Sequence, residues 1–116
     1  MSQSIATTEE LRQKHCVPCE GGVPKLEGQE ILNHLSSLAE WDHLPDPDRI
    51  HKTFTKKNFR EGLAMVNKIG ELAEAEKHHP DIRLSYSKVS VEIYTHAING
   101  LSENDFILAA KIDEIA

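Results

Sequence analysis

The chain has 116 residues, 39% hydrophobic and 28% charged, enough for one domain with a single modest core and too few for two. Nineteen acidic against thirteen basic side chains leave a net charge of −6, a field that repels nucleic-acid phosphates and anionic lipid headgroups, so direct nucleic-acid or membrane-surface binding is not expected. No window approaches the roughly 18 consecutive apolar residues of a membrane span, and the opening MSQSIATTEELRQKH has no apolar core of a secretory signal; the expected location is cytoplasmic, with the nucleus open to so small a chain.

Residues 1–26 show no sustained apolar period and include Pro18, Pro24 and Gly21-Gly22, so they read as a flexible amino-terminal lead-in, with the domain proper over 27–116. Cys16 and Cys19 form a single CVPC, too few thiols for a disulfide framework and half of a four-thiolate zinc site; they read as reduced. From Gln29, the spacing of Ile31, Leu32, Leu35, Leu38 and Ala39 predicts a one-sided helix of about three turns. Asp46-Pro47-Asp48 is turn chemistry, and RIHKTFT over Arg49 to Thr55 has the β-branched and aromatic content of a strand, with Trp41 to Leu44 as its partner.

Asn58 with Glu61 three residues on is a capping-box start for a long helix that ends near Lys77, with Phe59, Leu63, Val66, Ile69, Gly70 and Ala73 on its inward stripe. Ile82, Leu84 and Tyr86, then Val89, Val91 and Ile93, alternate with polar neighbours and predict an antiparallel hairpin turning about Ser87-Lys88. Ser102 and Asp105 cap a last helix through Phe106, Ile107, Ala109, Ala110 and Ile112. The order of elements, without a parallel crossover, gives an α+β fold: an antiparallel four-stranded sheet with three helices on one face, a two-layer sandwich.

Seven histidines is a high count for this length, and three fall around the hairpin: His78, His79 and His96. A turn about Ser87-Lys88 sets Tyr86 opposite Val89, Leu84 opposite Val91 and Ile82 opposite Ile93; carried past the strand ends, it brings His79 opposite His96. Imidazoles gathered at a helix exit, with Glu74 one turn back, suit proton transfer near neutral pH. Ordinary polar boundary positions would look the same. A metal is disfavoured, because adjacent histidines project apart and no Cys or carboxylate spacing completes a familiar ligand set. Asp105 is accounted for as a capping residue, Trp41 and Tyr86 as core or edge aromatics, and His15, His34, His43 and His51 as surface or core-edge positions.

The segment Glu74-Ala75-Glu76-Lys77-His78-His79-Pro80, followed by Tyr86, His96 and Asp105, resembles the signature of the pterin-4a-carbinolamine dehydratase family. The resemblance extends over residues 26–116, including the tail GLSENDFILAAKIDEI. It implies an α+β homodimer or homotetramer that dehydrates 4a-hydroxytetrahydrobiopterin to quinonoid dihydropterin by histidine general acid/base catalysis, with no metal and no organic cofactor. In that role it would recycle the tetrahydropterin of aromatic amino-acid hydroxylases. By the same resemblance His78, His79 and His96 are catalytic, and Glu74 and Pro80 join them in binding the pterin. Family members also serve as dimerisation cofactors of a transcription factor through a helical surface, so a protein partner is a second expectation. One departure is Lys77, where several members carry an acidic or small polar residue; an ammonium there changes the charge beside the first imidazole and bears on rate and pH optimum.

Overall fold

The structure, a computed structural model, describes residues 8–16 and 23–116; Cys19 and the rest of 17–22 lie outside the described residues. Its elements run α1 (Thr8–Gln13), α2 (Gln29–Leu35), β1 (Asp42–Leu44), β2 (Arg49–Thr55), α3 (Phe59–Glu76), β3 (Asp81–Ser85), β4 (Lys88–Ile93), a 3-10 turn (His96–Ile98) and α4 (Glu103–Ile115). The strands form one antiparallel sheet in the order β1-β2-β4-β3. Among the described residues no helix is long and apolar enough to cross a membrane.

Alternation along the strands decides which face is inside. Ile50 pairs with Ile93, Lys52 with Val91 and Phe54 with Val89, while Ile82 and Leu84 face Val91 and Val89 from the other side. These residues build the face under the helices; Ile50, Val89, Val91 and Ile93 are fully buried. The opposite face is polar, with Arg49 Nη1 paired to Glu92 Oε2 at 3.1 Å and the Thr53 and Ser90 hydroxyls 3.1 Å apart. Lys52 is a charged side chain on the inner face. Its ammonium donates to Asp113 Oδ1 at 2.8 Å and lies 5.9 Å and 4.8 Å from the Trp41 and Phe54 ring centres, while the Trp41 indole donates to Asp113 Oδ2 at 3.0 Å. Trp41 is therefore a core residue tied to α4.

Every residue of α4 from Asn104 to Ala110 is buried, which requires cover on all sides. The sheet, α1, α2 and α3 provide it. The α1 helix lies in the stretch read from sequence as an irregular lead-in; it rests on α4 with Leu11 fully buried, so this part of the lead-in carries a piece of the core. The α2 helix is shorter than its apolar period suggested. It stops at Leu35, where the Ser36 hydroxyl donates to the Asn33 carbonyl at 2.6 Å, a local bond that competes with further helix.

The cap of α3 forms as expected, with the Asn58 side chain accepting from the Glu61 amide at 2.9 Å. Its inward face differs from the expected stripe. Gly62, Met65, Ile69, Ala73 and Glu76 are buried, whereas Phe59 and Leu63 are 49% and 44% exposed. The hairpin approaches closely at Gly62: a Cβ there would stand 2.8 Å from Leu84 Cδ1, so a side chain at this position would push the Leu84 tip aside.

The hairpin register also differs. Ser85 pairs with Lys88, Leu84 with Val89 and Ile82 with Val91, a two-residue slide from the expected pairs. The turn is therefore Tyr86-Ser87 and not Ser87-Lys88, with Tyr86 at φ 50° and 71% exposed. A slide of two keeps every side chain on its face, so the apolar alternation could not expose the error.

Candidate active site

The corrected register changes which residues meet at the open end of the hairpin. Continued past the last pairs, it sets His78 against Thr95 and His79 against Tyr94, in place of His79 against His96. The hydrogen bonds there agree for His78. Its ring is buried, and Nε2–H donates to Asp105 Oδ1 at 2.6 Å. The other carboxylate oxygen of Asp105 accepts from the Thr95 hydroxyl at 2.9 Å and from the Ser102 amide at 2.8 Å; the Thr95 and Ser102 hydroxyls are 2.8 Å apart. A fully buried carboxylate is costly unless its lone pairs are satisfied, and here both oxygens are engaged. Asp105 is thus a capping residue, as its spacing indicated, and also the anchor of His78, which its spacing did not indicate.

Local backbone aims these groups. The left-handed residue Lys77, at φ 55°, closes α3, and the next amide, His78 N–H, donates back to the Ala73 carbonyl at 3.1 Å. That C-terminal turn swings the chain off the helix so that His78 enters the core and His79 leaves it. His79 is exposed, and its Nε2 lies 2.5 Å from Glu74 Oε2, which leaves Nδ1 for a second partner. Pro80 is half-buried at the entry to β3. His96 opens the 3-10 turn, exposed, with its ring centre 4.1 Å from that of Tyr94. Each expected imidazole thus has its own neighbour: Asp105 for His78, Glu74 for His79 and Tyr94 for His96. Among the described residues no group of three or more His, Cys, Asp or Glu side chains is placed to hold a metal ion.

A second polar cluster lies two residues before His78. Glu76, the last residue of α3, is 8% exposed; its carboxylate accepts from the Cys16 amide at 2.8 Å and from His15 Nδ1 at 2.9 Å, with Lys111 Nζ at 3.7 Å. Burial alone would push this carboxyl up. The Cys16 amide, the His15 ring and the Lys111 ammonium outweigh that and hold it below the ordinary value of 4.5. Nothing in the sequence marks His15 as Glu76's partner, because 61 positions separate them.

Known proteins resemble this chain in sequence and, in a solved structure, in fold. A Rubrobacter xylanophilus protein that carries a provisional pterin-4-alpha-carbinolamine dehydratase name is 44% identical over 106 residues, 91% of this chain and 98% of its own. A Methylococcus capsulatus protein of the same provisional name is 46% identical, over 91% of this chain and 93% of its own. The crystal structure of a transcriptional coactivator/pterin dehydratase from Brucella melitensis superposes with a TM-score of 0.76 at 29% identity, covering 80% of this chain and 99% of that one. The model of the family described as pterin 4 alpha carbinolamine dehydratase matches residues 24–115, and the chain belongs to that family.

Proposed function

We propose that the chain is a hydro-lyase that dehydrates 4a-hydroxytetrahydropterin to quinonoid dihydropterin, returning the oxidised cofactor of aromatic amino-acid hydroxylases to its cycle. The reaction removes the 4a-hydroxyl as water and a proton from a ring nitrogen, so it needs one acid at the leaving oxygen and one base at nitrogen. His79 and His96 are the exposed imidazoles available for those two transfers, and His78, Glu74 and Pro80 complete the pterin site. The observation that carries the reading is the buried His78–Asp105 pair, with exposed His79 the next residue in the chain. An imidazole fixed by a fully bonded carboxylate is a rigid backing for the adjacent proton-transfer group.

The test is the decay of the 4a-carbinolamine followed by absorbance. The purified chain should accelerate it, and His79→Ala together with His96→Ala should remove most of the acceleration, by about 100-fold or more if each supplies general acid or base catalysis. No acceleration by the unaltered chain would end the proposal.

A second reading is favoured by the outward face of α3. Phe59 and Leu63 expose apolar surface one turn apart, with Val66 half-buried in line. This stripe is a surface for protein association, either with further copies of the chain in a homodimer or homotetramer or with a partner protein, as expected from the resemblance to a dimerisation cofactor. The two readings use different faces and coexist.

A further inference from the structure

We propose that Glu76 is a positioning residue for His78: by fastening the lead-in to the end of α3 it fixes the turn that presents His78, and so acts on catalysis without touching substrate. The proposal rests on the dehydratase reading. Three connections stitch the lead-in and the end of α3 to α4 within a short stretch. His78 is bonded to Asp105, Glu76 lies 3.7 Å from Lys111 Nζ, and Cys16 Sγ lies 3.6 Å from the Asn104 carbonyl. Lys111 Nζ also donates to the Arg12 carbonyl at 2.8 Å, so the same ammonium ties α1 down. Between Glu76 and His78 stands only Lys77, whose left-handed conformation sets the direction of the chain.

A buried carboxylate with several donors is a poor device for stability alone, since well-packed hydrocarbon of similar volume often does as well or better. What it adds is direction. The Cys16 amide and the His15 ring fix the carboxylate from the lead-in side and Lys111 attracts it from α4, so the last turn of α3 has one orientation against α4. His78 inherits that orientation through a single residue, and its 2.6 Å bond to Asp105 requires it. Loss of the Glu76 anchor frees the left-handed turn and lets the His78 ring shift against Asp105, which displaces the adjacent His79 from its working position.

The experiment uses the full chain and the variants Glu76→Gln, Glu76→Asp and His15→Ala. Two quantities are read: kcat and KM for the 4a-carbinolamine, and the imidazole nitrogen resonances of His78, assigned by their loss in His78→Gln. Glu76→Gln should lower kcat by about tenfold with KM within about twofold, a split expected of displaced catalytic geometry, and should move the His78 resonances. Glu76→Asp should restore part of both, and His15→Ala, at an exposed ring, should lower kcat by about threefold in the same direction. A Glu76→Gln protein with a lowered melting temperature but unchanged kcat and unchanged His78 resonances overturns the proposal. Should that variant not fold, unchanged kcat and resonances in His15→Ala overturn it instead. If the unaltered chain has no dehydratase activity, the functional reading fails, and the His78 resonances alone decide whether Glu76 positions that ring.

Discussion

Asp105 holds three donors with two oxygens: the His78 ring, the Thr95 hydroxyl and the Ser102 amide. Removing the carboxylate in Asp105→Ala takes away half of the capping box, worth about 1 kcal/mol, and strips the buried His78 ring of its Asp105 acceptor, at about 1–3 kcal/mol, while the Thr95 hydroxyl keeps the Ser102 oxygen 2.8 Å away. The expected loss is about 2–4 kcal/mol by urea unfolding, against about 1 kcal/mol for Ser102→Ala, which spares the His78 bond. Equal losses in the two variants would mean that Asp105 matters only as a cap. Glu76 makes a prediction of different form. Its folded pKa lies below 4.5, so the unfolded chain binds the proton first on acidification; the stabilisation is present above about pH 4.5 and is lost as pH falls through the lowered folded value. Stability measured in urea between neutral pH and pH 3 should therefore fall in acid less steeply for Glu76→Gln than for the unaltered chain. Of these two carboxylates, Asp105 was legible through the three-residue spacing to Ser102, while Glu76 was not. A capping bond is local in sequence, and a contact across 60 positions leaves no period to read.

Elements were legible where a local rule fixed them. The β2 strand runs from Arg49 to Thr55 as its composition indicated, and α3 starts after Asn58 and ends at Glu76, one residue short of Lys77. What failed was relative placement: the hairpin slid by two, because a period of two is blind to that shift, and Tyr86, an unfavourable residue at positive φ, occupies the turn that Ser87-Lys88 was expected to make. The close of α3 yields a prediction at this scale. Lys77 is held at φ 55°, where a side chain with a Cβ is strained and glycine is not. Lys77→Gly should raise stability by up to about 1 kcal/mol, seen as a higher melting temperature. Because glycine adopts the same left-handed turn, the variant should keep the Schellman-type bond from His78 N–H to the Ala73 carbonyl, and with it most of the proposed dehydratase rate.

For the whole molecule, α3 has two apolar faces and the chain has one core. The inward face, Gly62, Met65, Ile69 and Ala73, meets the sheet and α4, while Phe59 and Leu63 stand in solvent beside half-buried Val66. Sequence periodicity assigned Phe59 and Leu63 to the core because an amphipathic pattern reports that a face is apolar and not which body covers it. Leu63→Lys places a charge on this stripe without entering the core, so unfolding stability of the isolated subunit should change by no more than about 0.5 kcal/mol. If α3 is the seam of the proposed homo-oligomer, the molar mass by light scattering should fall to a smaller assembly; a mass equal to that of the unaltered chain would remove α3 as the seam. The proposed histidine site lies at the other end of the helix, so the carbinolamine assay on the same sample separates the two proposals: a retained rate with a reduced mass means that the proposed chemistry does not depend on assembly through Phe59 and Leu63.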